Sequence, residues 1–118
     1  MNYGKSPGSD DLPHDSDGDA LRRLKETGSD LSKPMEIDFS VAVPNQASGV
    51  AVAKIAEPLG FRTKVRQDPK SKNWTCYCTC VMVPLYKTIV SIQANLDDIG
   101  REYGAKSDGW GSFGNNDS

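Results

Sequence analysis

The chain has 118 residues, 36% of them hydrophobic, and a formal net charge of −2, which predicts one domain in a chain that is not packed throughout. No apolar run reaches the roughly 18 residues of a membrane span, and the N-terminus lacks the apolar segment of a secretion signal. We therefore expect a soluble, cytoplasmic protein that does not bind a membrane.

The two ends of the chain hold little that a core would bury. Residues 1–18 are predicted to form a disordered acidic leader, since residues 1–20 carry one lysine against five aspartates. Residues 114–118 are predicted to form a disordered tail. Residues 19–113 are then expected to form a single domain, and the leader is either solvated or in contact with a basic patch on this chain or a partner.

The first predicted elements in chain order are a helix, a strand and a helix. Residues 19–27 predict a short helix, capped by Asp17 or Asp19 and ended by a glycine. Residues 35–43 alternate apolar and polar side chains, which is the pattern of a half-buried strand. Residues 46–57 place apolar side chains on one side of a second helix.

The second half of the chain predicts two strands, a long helix and a last strand. Residues 61–67 alternate again and, after a polar hairpin loop, residues 74–83 form the longest and most apolar strand. Pro84 suits the first turn of a helix, and apolar residues then recur at steps of three and four for about twenty residues. Residues 105–110 predict the last, short strand.

The predicted order after the first helix is strand, helix, strand, strand, helix, strand. This order is typical of an α+β, ferredoxin-like βαββαβ two-layer sandwich, here with an extra N-terminal helix. Two helices would cover one face of a four-stranded antiparallel sheet. The other face would be open to water or to a partner.

The three cysteines, Cys76, Cys78 and Cys80, are spaced by two and so share one face of a strand. Side chains in line along one strand do not converge on a metal ion, and their parallel directions disfavour a disulfide. We expect them to pack in the core as small hydrophobic residues, with redox or metal chemistry as the alternative.

Acidic side chains stand at positions one, three, five and twelve of a possible calcium-binding loop, namely Asp15, Asp17, Asp19 and Glu26. The sixth position, where such a loop requires glycine for its turn, is Ala20, and no helix is predicted before the loop. We therefore interpret the pattern as a helix cap with additional acidic residues. The sequence predicts no metal and no cofactor.

The predicted open face of the sheet carries a basic strand. Its basic side chains and an aromatic neighbour are Arg62, Lys64, Arg66 and Tyr77. Glu36 and Asp38 project on the same face and would neutralise much of the positive field. Two interpretations remain, a solvated face with charges paired across strands and a small single-stranded RNA-binding module that stacks bases on the sheet.

Catalysis requires a nucleophile, a base within its reach and a group that orients the base. The only histidine, His14, lies in the leader, while Asp97 and Asp98 lie on an exposed helix face without partners. The chain also lacks a glycine-rich phosphate loop. We therefore predict a binding protein and not an enzyme.

Four features carry a resemblance to a known family, and they occur in the order DFSVAVPN (residues 38–45), MVP (residues 82–84), the long helix, and DGWG (residues 108–111). Together they resemble the regulator of ribonuclease activity B family, the bacterial protein inhibitors of ribonuclease E. The resemblance covers roughly residues 20–113 and implies a ferredoxin-like fold without catalysis or cofactor. It also implies that the protein binds ribonuclease E and that this binding lowers the cleavage of messenger RNA by the nuclease.

The resemblance implies a protein partner, either ribonuclease E or another protein. Because the noncatalytic regions of that nuclease are typically disordered and rich in arginine, carboxylates of the leader (residues 10–19) and of the domain are candidates for the contact. The candidate partner-binding residues are Glu36, Asp38, Asp97, Asp98, Asp108, Gly109, Trp110 and Gly111. Trp110 or Trp74 would supply an aromatic anchor.

Trp110 itself has two interpretations, a lid that closes one end of the core or a contact with the partner. Gly109 and Gly111 beside it would allow a close backbone approach and positive φ angles. A dimerising domain of unknown role is a further alternative for the whole protein, because an open sheet face also pairs two copies of a fold. We expect a monomer or a homodimer.

Overall fold

The computed structural model describes residues 12–115, which form three α-helices and one four-stranded sheet. The helices are α1 (Ser16–Glu26), α2 (Gln46–Ala56) and α3 (Tyr86–Gly100), and the strands are β1 (Met35–Val43), β2 (Arg62–Gln67), β3 (Trp74–Met82) and β4 (Lys106–Gly111). Single turns of 3-10 helix follow α2 over Glu57–Leu59 and α3 over Arg101–Tyr103. The predicted α+β class and the predicted order of elements along the chain are confirmed.

The sheet has the strand order β2-β3-β1-β4, and every neighbouring pair is antiparallel. The two nine-residue strands β1 and β3 therefore lie in the centre, as the apolar pattern of β3 predicts. The pairing of β1 with β4 shifts register between Phe39 and Val41, which indicates a β-bulge. This shift decides which side chains of β4 reach each face of the sheet.

One face of the sheet is buried under the helices. Every second residue of β1, from Met35 to Val43, is buried, which is the alternation that the sequence predicts. Helix α2 packs mainly on β2 and β3, α3 packs on β4 and β1, and α1 packs on α3. No helix within residues 12–115 covers the opposite face of the sheet, which we call the open face.

The cysteines contribute to the buried face, as predicted. Cys76 and Cys78 are fully buried, Cys80 is half-buried, and all three are free thiols. A hydrogen bond with Cys76 and burial together raise the pKa of the Cys78 thiol, and burial raises the pKa of Cys80. A raised pKa lowers the thiolate fraction of Cys78 and Cys80, and the thiolate is the reactive form of cysteine, whereas the same hydrogen bond lowers the pKa of Cys76.

Two helix starts differ from the prediction. Helix α1 begins at Ser16, and its cap is Asp15, whose carboxylate accepts a 2.8 Å hydrogen bond from the Gly18 amide. Helix α3 begins only at Tyr86, because a tight turn between Val83 and Leu85 separates it from β3. The predicted caps of α1 and the predicted place of Pro84 in the first turn of α3 are therefore wrong.

No helix within residues 12–115 combines the length and the apolar character needed to cross a membrane.

Residues 1–11 of the predicted acidic leader lie outside the described residues.

Candidate binding surface on the open sheet face

The open face is arranged in rows of side chains that the strand register places side by side. The row nearest the β2–β3 hairpin runs Arg66, Thr75, Ala42 and Lys106 across the four strands. The next row contains Lys64, Tyr77 and Ser40. The third row contains Arg62, Thr79, Asp38 and Gly111. The predicted basic residues and Tyr77 therefore share one surface.

The end of the open face that is far from the hairpin is called the acidic end, and it comprises Glu36, Asp38, Arg62, Thr79 and Val81. Glu36 forms an exposed ion pair with Arg62, and the Thr79 hydroxyl donates a 2.6 Å hydrogen bond to Asp38. Val81 lies opposite Glu36 and is 67% exposed. The charges at this end are thus paired across strands, in agreement with one of the two interpretations of the sequence.

The hairpin end of the open face is a groove of about 610 Å³. It contains cationic, aromatic and acidic side chains, among them Arg66, Trp74, Tyr77, Lys106 and Asp108. Within residues 12–115, neither Lys64, Arg66 nor Lys106 forms an ion pair. The acidic residues of the first strand lie at the other end, so the charged side chains that line this groove are the cations Arg66 and Lys106 and the carboxylates Asp68 and Asp108.

Asp68 is the other carboxylate of the groove, and the hairpin backbone already engages it. It accepts hydrogen bonds from the amides of Ser71 (3.0 Å) and Lys70 (2.7 Å), which hold the pKa of the Asp68 carboxyl below its ordinary value. Asp68 therefore serves mainly to shape the hairpin that forms one wall of the groove.

Trp110 lies on the other side of the sheet. Its register partner is Phe39 of the buried face, and its ring packs against the core. The indole N–H donates a 2.9 Å hydrogen bond to Asp17 of α1, and the same oxygen accepts one of 3.2 Å from Gln93 of α3. Trp110 thus connects β4 to two helices, as expected of the lid interpretation.

The acidic residues at the start of α1 make contacts inside the domain. Asp15 accepts a hydrogen bond from the Tyr86 hydroxyl and caps the helix through the Gly18 amide. Both bonds lower the pKa of Asp15, and the bond from Tyr86 has the larger effect. Asp19 forms an ion pair with Arg22. No group of three or more metal-binding side chains is arranged around a common point in residues 12–115. The acidic pattern is thus explained by contacts of the helix.

The two neighbouring aspartates of α3 have different environments. Asp97 is half-buried and accepts a hydrogen bond from the Ser107 amide at the start of β4. Asp98 is exposed and forms a 2.7 Å ion pair with Arg101. Both have partners, contrary to the prediction, and neither lies on the open face. The structure therefore does not bring the predicted partner-binding residues together in one place.

The glycines beside Trp110 also differ from each other. Gly109 has a φ of +89°, whereas Gly111 is not among the residues with positive φ. A Cβ atom built on either glycine would meet nothing within 4 Å. The prediction of positive φ is therefore right for Gly109 alone, and the predicted close approach is wrong for both.

This difference gives a matched pair of variants. Gly109→Ala is expected to lower the free energy of unfolding by about 1–2 kcal/mol, because a side chain disfavours the left-handed conformation. Gly111→Ala is expected to change it by less than about 0.5 kcal/mol, since the site is open. Urea unfolding of both variants tests the expectation. Equal losses would show that φ at Gly109 is not the cause.

Two residues of this surface were missed in the sequence, Lys106 and Val81, as was one exposed aromatic residue beyond β4, Phe113. Lys106 reaches the groove because the bulge places it opposite Ala42, and hydrophobic periodicity does not show such a shift. Val81 is one position out of phase with the three cysteines, so the alternation of β3 places it on the open face, although its apolar side chain suggests burial. Phe113, beyond β4, is 97% exposed. An exposed aromatic of this kind is recognised only once the strand ends are known.

One comparison with known proteins gives a match. The family described as regulator of ribonuclease activity B matches residues 14–112 of this chain. The comparison with curated proteins gives no match.

Proposed function

Because the chain belongs to the regulator of ribonuclease activity B family, we propose that it binds ribonuclease E and lowers the cleavage of messenger RNA by that nuclease in the bacterial cytoplasm. The family implies regulation of ribonuclease activity through protein binding. The match over residues 14–112, which includes every helix and strand of the described chain, carries this proposal. We propose that regulation proceeds by binding and without catalysis.

We propose the acidic end of the open face as the docking surface for an arginine-rich segment of the nuclease. The Glu36–Arg62 pair is exposed, with 54% and 70% of the two side chains accessible, so it contributes only about 0–1 kcal/mol. An arginine of the partner can therefore replace Arg62 at little cost. Asp38 lies in the next row and adds a second carboxylate to the same surface.

Apolar contacts beside these carboxylates would supply affinity. Val81 is 67% exposed opposite Glu36, and Phe113 is 97% exposed. The Ser112 hydroxyl donates a 2.7 Å hydrogen bond to the Glu36 carbonyl, which holds the segment before Phe113 beside β1. Aromatic side chains such as Phe113 are enriched at protein interfaces, whereas valines seldom dominate the binding energy, so we propose Phe113 as the main apolar contact.

Charge reversal at the acidic end tests the proposal. Glu36→Lys is expected to weaken binding to purified ribonuclease E about tenfold or more at low salt, because it replaces attraction by repulsion. Glu26→Lys, which makes the same charge change at the end of α1, is the control and is expected to bind as the native protein does. Isothermal titration calorimetry at about 50 and 300 mM salt measures both, and the difference shrinks at high salt.

The same titration includes ribonuclease E truncated after its catalytic domain, which is expected not to bind. Undetectable binding of the native protein to the full-length nuclease at both salt concentrations contradicts the proposed function. Equal weakening of ribonuclease E binding by Glu36→Lys and Glu26→Lys contradicts the proposed docking surface but leaves the proposed function standing. Sedimentation of the free protein, expected to be a monomer or a homodimer, shows whether two copies occupy this face.

A further inference from the structure

We propose that the groove at the hairpin end of the open face binds single-stranded RNA. The groove is defined by Arg66, Tyr77, Lys106 and Asp108, together with the short side chains between them. This inference does not depend on the proposed function, because it concerns the opposite end of the face and needs no ribonuclease.

The shape of the groove follows from one row of the sheet. Arg66 on edge strand β2 and Lys106 on edge strand β4 stand at the two ends of the row, with Thr75 and Ala42 between them. Two short side chains between two long cations form a trough. Three strand spacings separate its walls, which is roughly 14 Å between backbones. A single nucleic acid strand fits in a trough of this width.

Two cations of the groove have no ion-pair partner within residues 12–115 and can contact phosphates, although Asp68 and Asp108 balance their charge. Arg66 and Lys106 form no ion pair within residues 12–115, and Lys64 in the next row is also without one. The paired acidic residues Glu36 and Asp38 lie in rows toward the other end of the face. Glu36 pairs with Arg62, so the neutralisation expected from the sequence applies to that end of the basic strand and not to Arg66.

An aromatic ring lies in the row next to Arg66 and Lys106. Tyr77 occupies central strand β3, opposite Lys64 on one side and Ser40 on the other, and it is half-buried. A ring held on a sheet beside cations can stack a base while the cations bind the neighbouring phosphates.

Asp108 is the carboxylate of the groove on β4. It can accept hydrogen bonds from base amino groups or from 2′-hydroxyls.

Single-stranded RNA fits these observations better than an acidic peptide does. An acidic peptide requires cations but makes no use of a half-buried ring such as Tyr77 or of a carboxylate such as Asp108. The remaining lining residues include the polar Gln67, Ser71 and Asn73, which can bond to sugars and bases. The groove therefore offers a phosphate contact, a stacking surface and polar contacts in one place.

The test is fluorescence anisotropy with a labelled, unstructured 12-nucleotide RNA and the full-length protein. The double variant Arg66→Glu/Lys106→Glu is expected to bind about tenfold more weakly or worse, because two phosphate contacts become repulsive. The control Lys33→Glu/Lys54→Glu carries the same charge change away from the open face and is expected to retain most of the affinity. Circular dichroism verifies that both variants are folded.

Stacking and salt dependence give two further readouts. Tyr77→Ala is expected to weaken binding about tenfold, whereas Tyr77→Phe, which keeps the ring, is expected to bind as the native protein does. For about three phosphate contacts, the slope of log affinity against log salt is about −2, and loss of two contacts reduces its magnitude by about 1.4.

Three outcomes would overturn the proposal. One is the absence of binding to the RNA at 50 mM salt. Another is an equal loss of affinity in the two double variants, which would indicate general charge attraction. The third is tighter binding of poly-glutamate than of RNA with no effect of Tyr77→Ala, which would assign the groove to an acidic peptide.

Discussion

Trp110→Ala is expected to lower the free energy of unfolding by about 3 kcal/mol, the lower end of the range for removing a large aromatic from a core. The ring packs against the core opposite Phe39, and its N–H donates to Asp17. Alanine leaves a cavity beside α1 and takes one hydrogen bond from the carboxylate that joins α1, α3 and β4. The measurement is urea unfolding followed by circular dichroism.

Trp110→Phe separates packing from hydrogen bonding at this position. It retains most of the ring but loses the N–H, so a loss of about 1 kcal/mol is expected. Binding to ribonuclease E by Trp110→Phe should match that of the native protein if the residue is structural. Unchanged stability together with lost binding in Trp110→Ala would instead assign Trp110 to partner recognition.

The strands and helices of the sheet layer were predictable because each shows its burial in a local period. Residues 35–43 alternate strictly, and β1 has those bounds. Residues 46–56 carry apolar side chains at helical spacing and begin after a capping asparagine, and α2 begins there too. The burial of Cys76 and Cys78 follows from the same alternation on β3. Periodicity therefore determined the elements and their buried sides.

The contacts of the acidic residues were not predictable, because they depend on distant parts of the chain. Asp17 looked like a solvated acid or a helix cap, but its carboxylate bonds to Trp110, 93 residues away. Asp15 bonds to Tyr86 over 71 residues. The position at which α1 packs on the rest of the domain determines both contacts. No local pattern in the sequence encodes the packing position of this extra N-terminal helix.

The two ends of the open face were likewise hidden in the sequence. Glu36 and Arg66 share a face by alternation, but only the register shows that they lie at opposite ends of it. The sequence alone therefore suggested that the acidic and basic side chains of this face neutralise one another. Separation into an acidic end, where Arg62 is paired, and a groove whose cations Arg66 and Lys106 are unpaired within residues 12–115 makes it possible to assign a different partner to each end.

Asp97→Ala and Asp98→Ala form the second large contrast that we expect. Asp97→Ala should lower the free energy of unfolding by about 2 kcal/mol, since it leaves the half-buried Ser107 amide without its charged acceptor. Asp98→Ala should change it by less than about 0.5 kcal/mol, because its ion pair with Arg101 is exposed on both sides. Urea unfolding measures both effects.

The two variants also decide whether this pair of carboxylates contacts the partner. Both remove one negative charge from adjacent positions, so any difference in ribonuclease E affinity between them reflects local contacts and not net charge. Asp97→Asn serves as a further control, because its amide oxygen still accepts from Ser107 and should restore part of the stability. Unchanged stability in Asp97→Ala, with weakened ribonuclease E binding, would overturn the structural role and return Asp97 to the interface. The structural role instead predicts that ribonuclease E binding by folded Asp97→Asn equals that of the native protein.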